Sequence, residues 1–120
     1  GVQTCALPIF TPFQIPLTES LKDTVARVVP YWHEKLQPAL QKQERCLIVA
    51  HGNSLRALVK HLENVSESEI AEMNIPTGIP LLYELDSDFR PVNKKYLGDA
   101  SEIEKAIGKV ASQLTAPSKN

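Results

Sequence analysis

Two cysteines, Cys5 and Cys46, are all that the 120 residues contain. A disulfide framework needs more, and neither cysteine lies in a CxxC or Cys/His spacing suited to a metal. A stapled secreted miniprotein and a zinc module are excluded. An excess of one charge is also missing. Thirteen Lys and Arg stand against fourteen Asp and Glu, a formal net charge of -1. No basic field exists for a nucleic-acid backbone, so a bound anion must be captured by local geometry. No apolar run approaches the length needed to span a bilayer. No basic segment followed by a long apolar core marks a signal peptide. Walker, GxGxxG and GxSxG patterns are absent. These absences point to a cytoplasmic chain with no metal, no membrane and no nucleic-acid partner.

What is present is ordinary for a globular protein: 42% hydrophobic and 22% charged residues. The length allows one small domain. Residues 1–17, broken by Pro8, Pro12 and Pro16, carry no period and read as irregular. A helix is expected from Thr18 or Ser20, with Ser20 and Asp23 as a capping pair. Its apolar stripe runs Leu21, Val25, Val28, Trp32, Leu36, Leu40, and Pro30 should kink it. Cys46 to Ala50 is a continuous apolar run, the pattern of a strand buried on both faces in a parallel sheet. Cys46 within it reads as a small buried hydrophobe.

Leu55, Leu58, Val59 and Leu62 then recur at helical spacing. Ser66 and Glu69 open a short helix to about Met73. Leu81–Leu85 and Val92–Leu97, separated by Asp86-Ser87-Asp88, predict a hairpin. Asp99 or Ser101 caps a last helix with Ile103, Ile107, Val110 and Leu114 on one face, and 115–120 reads as a disordered tail. The class is α/β, a mainly parallel sheet with an antiparallel hairpin.

Chemistry concentrates at Ala50-His51-Gly52-Asn53-Ser54, where strand gives way to helix. Ligands of open α/β sheets collect beyond the carboxyl ends of strands. A glycine there permits a sharp turn and close backbone approach, and Asn53 or Ser54 is placed to cap the helix. The first helical amides lack internal partners and face the positive end of the dipole, a natural seat for a phosphate or carboxylate. His51 can add a charge and a donor. The plain alternative is a helix cap with no ligand.

Other residues weigh less. His33 reads as a surface residue. His61, near a helix C-terminus, reads as structural, where a cation suits the dipole. Arg56 and Lys60 lie one turn apart and can lend positive potential, although for Lys60 a solvated helix face is the simpler reading. Thr77-Gly78 either touches ligand or only turns the chain into the hairpin.

The string Leu47-Ile48-Val49-Ala50-His51-Gly52-Asn53-Ser54-Leu55-Arg56-Ala57-Leu58-Val59-Lys60 resembles the second histidine motif of 2,3-bisphosphoglycerate-dependent phosphoglycerate mutases. Thr18 to Thr24 upstream resembles the helix before that motif. Asn74-Ile75-Pro76-Thr77-Gly78-Ile79-Pro80-Leu81, Tyr83-Glu84-Leu85 and Tyr96-Leu97-Gly98 match the family downstream in order and spacing. The likeness runs from about Pro16 to about Gln113.

That resemblance implies the C-terminal half of a three-layer mutase-like fold: a partial domain over 16–114, a tail over 115–120, and a stretch over 1–15 that is irregular or artefactual and outside the family. It implies a glycolytic and gluconeogenic isomerase that exchanges 2-phosphoglycerate and 3-phosphoglycerate through a phosphohistidine, with 2,3-bisphosphoglycerate as primer. It casts His51 as stabiliser of charge on the phosphoryl group in flight, and Gly52 and Asn53 as the residues that hold it. Phosphoglycerates are the expected partners, and a homo-oligomer is expected at full length.

The chain contains no Arg-His-Gly, the motif that carries the phosphoryl group in that family. Catalytic incompetence of this chain by itself is therefore expected. A phosphatase of the same superfamily and a noncatalytic phosphate-binding fragment are the alternatives.

Overall fold

The computed structural model describes residues 19–115. The expectations for 1–17 and for 116–120 lie outside the described residues. The chain divides into two compact units, one ending at His61 and the other starting at Leu62.

The first unit begins with helix α1, Leu21–Tyr31, and the capping box is as expected. Ser20 Oγ accepts from the Asp23 amide, and the Asp23 carboxylate accepts from the Ser20 amide at 2.9 Å. Two of the amides orphaned at a helix start are thereby satisfied. Thr24 is the buried polar residue of this stretch, and its hydroxyl donates to the Ser20 carbonyl.

Pro30 does not stop the helix. The chain continues through a π-helical turn, Trp32–Leu36, and a short helix α2, Gln37–Gln41. The Gln37 amide reaches back to the Trp32 carbonyl, five residues earlier. Pro38 lacks an amide to continue the α-ladder and would crowd the carbonyl four residues before it; a wider turn ahead of it relieves that conflict. Trp32 and Leu36 stay buried through the change of register, so the expected stripe survives it.

Residues 44–50 form no helix and no strand. This departs from the expected parallel strand over Cys46–Ala50. Apolar character alone does not make a strand; a ladder needs a neighbouring backbone. Among the described residues nothing pairs with this segment, and Leu47 and Val49 are 55% and 78% exposed. Cys46 is half-buried.

Helix α3, Gly52–Glu63, follows. Ala57, Leu58 and Val59 are buried on it. Arg27 of α1 meets Ser54 near its start. Trp32 and His33 both meet His61 further along, with ring centroids 6.0 and 5.2 Å apart. The two contacts follow the same order on both helices, about 8–9 Å apart on the first and about 10–11 Å on α3 at the usual rise per residue. The α1 stretch and α3 therefore run side by side in the same direction, joined through the irregular 44–50 segment.

The second unit holds helix α4, Glu67–Glu72, with the expected capping box from Ser66 and Glu69, and Ile70 is fully buried. Gly78, at a φ of 78°, makes the turn before the hairpin. Strands β1, Leu81–Leu85, and β2, Pro91–Tyr96, pair antiparallel, with Tyr83 opposite Lys94 and a register shift at Glu84/Leu85. Asp86 Oδ1 accepts from the amides of Asp88 and Arg90 and holds the connection.

Helix α5, Ala100–Thr115, is capped by Asp99, whose carboxylate accepts from the Ser101 amide. Ile103, Ile107 and Val110 are half-buried on one face. The result is a mixed α/β chain in which, among the described residues, the only sheet is this antiparallel pair. No described helix is long and apolar enough to cross a membrane.

Candidate functional site

The start of α3 is built by His51. Its carbonyl accepts the Leu55 amide at 3.0 Å, the first bond of the helix. Its ring nitrogen Nδ1 accepts the Asn53 amide at 3.3 Å. His51 is therefore the N-cap, through both backbone and side chain, where Asn53 or Ser54 had been expected. The reason is physical: Nδ1 lies as far along the side chain as the oxygen of Asp or Asn, so an imidazole can close the same short ring that those caps close. In this contact Nδ1 is the acceptor and the backbone amide the donor.

Gly52 is the first helical residue, and its backbone is not in the left-handed region. A Cβ built on it would meet nothing within 4 Å. The expectation of a sharp glycine turn is corrected: the fold does not require glycine here. What the glycine leaves is open space at its own Cβ position, at the start of α3.

Asn53 and Ser54 are each tied to an arginine. Arg56 Nη1 donates to Asn53 Oδ1 at 3.5 Å, a long contact from one turn further along α3. Arg27 Nη2 donates to Ser54 Oγ at 3.4 Å. Arg27 is itself held by Glu19, with Nε to Oε1 at 2.5 Å and Nη2 to Oε2 at 3.2 Å. The hydrogen bond from Arg27 is the main reason that the Glu19 carboxyl lies below the usual carboxylate range. Two guanidinium groups therefore stand at a helix start whose dipole is already positive. The arrangement suits an anion approached by the backbone amides at the start of α3, with the charge of Arg27 shared with Glu19.

Sequence reasoning did not single out Arg27 or Glu19. They are eight residues apart, and Arg27 is 27 residues from Ser54, so no local spacing signals the cluster. His33 is exposed as expected, with Nδ1 2.8 Å from Gln37 Oε1. His61 packs its ring against Trp32 and His33 near the end of α3. Burial, with a smaller effect from His33, lowers its pKa, so the neutral ring is favoured against Trp32. Lys60 is half-buried. Among the described residues, no group of three or more His, Cys, Asp and Glu is placed to hold a metal ion.

Compared with known protein families, residues 8–90 match the histidine phosphatase superfamily (branch 1). The matched range contains α1, the 44–50 segment, the whole His51–Ser54 turn and β1. It covers well over half of the chain. The chain therefore belongs to branch 1 of the histidine phosphatase superfamily, a group of enzymes whose chemistry is phosphoryl transfer.

Proposed function

We propose that this chain serves the interconversion of 2-phosphoglycerate and 3-phosphoglycerate, as a sequence of the 2,3-bisphosphoglycerate-dependent phosphoglycerate mutase type. The observation that carries the proposal is the His51-Gly52-Asn53 turn at the start of α3, inside a histidine phosphatase domain. The Asn74-Ile75-Pro76-Thr77-Gly78 string favours the mutase over a phosphatase that uses water as acceptor.

Phosphoryl transfer leaves the protein little covalent work; positioning and charge stabilisation dominate. In this reading Gly52 and Asn53 hold the phosphoryl oxygens, chiefly through backbone amides. His51 stabilises the charge that moves with the group. The open space over Gly52 admits the oxygens close to the backbone. The bisphosphate acts as primer, the protein works in the cytoplasm without a metal, and the full-length protein is a homo-oligomer.

The sequence holds three histidines and no Arg-His-Gly. His33 is engaged with Gln37 and His61 is packed on Trp32. Neither is offered as the phosphoryl carrier, so the chain by itself does not turn over. The purified chain, assayed with 3-phosphoglycerate and the bisphosphate, is expected to show no turnover above a His51→Ala control. In a nuclear magnetic resonance titration with 3-phosphoglycerate, the Gly52 and Asn53 amides are expected to move. Amides that stay still at saturating ligand overturn the proposal.

A further inference from the structure

Two imidazoles with no part in the His51–Ser54 turn lie side by side. His33 comes from the π-helical turn Trp32–Leu36, and His61 from the last turn of α3, about 15 Å along the helix from His51. Their ring centres are 5.2 Å apart and their planes stand at 87°. Both belong to the first compact unit.

That separation is the one a shared metal ion sets. An imidazole nitrogen binds zinc at about 2.0–2.1 Å, the ring centre lies about 1 Å further out, and two rings at a tetrahedral angle then have centres about 5 Å apart. The angle between the planes is not restricted, because each ring can turn about its own metal–nitrogen bond.

The partners of the two rings fit the same role. His33 Nδ1 is 2.8 Å from Gln37 Oε1. When Nδ1 donates to that oxygen, Nε2 of the neutral ring carries the lone pair that a metal takes. A side-chain partner on the second nitrogen is the usual support of a metal-ligating histidine. His61 has no hydrogen bond to either ring nitrogen among the described residues. Burial, and to a lesser degree His33, favours its neutral form, which is the form that binds metal. Packing against Trp32 would be served as well by a phenyl ring, without two polar nitrogens to desolvate.

From this juxtaposition we infer that His33 and His61 form a two-imidazole site for a divalent transition metal of the zinc class, which ties the π-helical turn to the end of α3. Imidazole suits such ions, whereas magnesium and calcium prefer oxygen ligands. Among the described residues no third His, Cys, Asp or Glu joins the pair. Water completes the coordination, and binding is weaker than at a closed site of four protein ligands. The ion is a clamp between two helical segments and takes no part in phosphoryl transfer.

Zinc chloride is the probe. It is titrated into the full chain near neutral pH by calorimetry, and the histidine side chains are followed by nuclear magnetic resonance. One zinc per chain is expected, with the imidazole signals of His33 and His61 moving together. His33 is exposed, so His33→Ala removes one ligand without opening the core, and its zinc affinity should fall at least tenfold. His61→Phe keeps a ring on Trp32 and should lose as much. The double variant should lose little more than either single one, because each breaks the same chelate. Zinc should raise the melting temperature of the wild type by several degrees and leave that of His33→Ala unchanged.

No zinc uptake, an affinity in His33→Ala within twofold of the wild type, single losses that add in full, or zinc that moves only the signals of His51 or Cys46 overturns the site. The two rings are then packing alone. The phosphoryl reading is untouched by any of these results, since it rests on other residues.

Discussion

The Tyr83 hydroxyl donates a hydrogen bond to Glu63 Oε1, and that short contact fastens the middle of strand β1 to the last residue of α3. Lys94, opposite Tyr83 in the hairpin, donates to the same oxygen at 2.8 Å. One carboxylate thus collects both strands. Glu63 is 19% exposed, so little water competes. Tyr83→Phe leaves Lys94 in place and should destabilise the chain by about 1 kcal/mol, the net worth of one hydrogen bond. Glu63→Ala strands the shielded tyrosine hydroxyl as well and should cost about 1–3 kcal/mol. Urea denaturation of the two variants beside the wild type checks the order.

The same pair sets a pH window. Burial pushes the Glu63 carboxyl up, but the hydrogen bonds from Lys94 and Tyr83 hold it below its ordinary value overall. A group whose folded pKa is depressed contributes stability above its unfolded pKa and loses it as pH falls through the folded one. For Glu63 that loss begins below about pH 4.5. Burial and the Glu63 carboxylate push the Tyr83 phenol well above its ordinary value of 10.0. Its contribution is present below pH 10 and is lost as pH rises beyond it. Melting temperature against pH should therefore fall at both ends. Glu63→Gln should flatten the acid limb, and Tyr83→Phe should flatten part of the alkaline limb; Tyr96, also raised by burial, supplies the remainder.

Much of this was legible in the sequence because it is local. Both capping boxes, the turn at Asp86, the hairpin and the amphipathic face of α5 depend on residues a few positions apart. The His51–Ser54 turn was legible for the same reason, since apolar run, glycine and helix start are adjacent. What was not legible needs distant partners. A strand over Cys46–Ala50 requires a neighbour that no spacing within the segment supplies. Arg27 reaches Ser54 only because α1 and α3 lie side by side. The cap was misplaced by two or three residues because cap preferences favour Asn and Ser over His, while the imidazole reaches the same amide.

His61 tests how its burial reads in solution. Its neutral ring packs on Trp32, and burial lowers its pKa from 6.5. A depressed pKa means that the unfolded chain takes the proton first as pH falls. Stability should be full above about pH 6.5 and decline below it, with His33 adding repulsion once charged. His61→Phe keeps a ring against Trp32 and removes the proton. Its denaturation midpoint should change less than that of the wild type between pH 7 and about pH 5.

The apolar side chains of the 44–50 segment bear on solubility. Leu47 and Val49 are large, apolar and exposed, and exposed apolar side chains promote association between copies of a chain. Val49→Lys places a charge there and removes nothing buried. It should lower concentration-dependent association in sedimentation velocity and leave the denaturation midpoint within about 0.5 kcal/mol of the wild type. Equal association in the variant would place the sticking surface elsewhere.

The two glycines at 52 and 78 separate a glycine needed by the fold from one that serves a site. Gly78 adopts a φ of 78°, where a side chain is strained, although nothing crowds its Cβ position. Gly78→Ala should destabilise the chain by about 1 kcal/mol through backbone strain alone. Gly52 lies in helical backbone with open space around its Cβ. Alanine there is a better helix former, so Gly52→Ala should leave stability unchanged or raise it by up to about 1 kcal/mol. It also puts a methyl group over the amides where an anion would sit, and binding of phosphate or 3-phosphoglycerate should weaken at least several-fold. Thermal melts and ligand titrations on the pair decide the matter. A Gly52→Ala chain that melts later and binds less shows that this glycine is kept for the ligand; one that binds as well as the wild type removes Gly52 from the site.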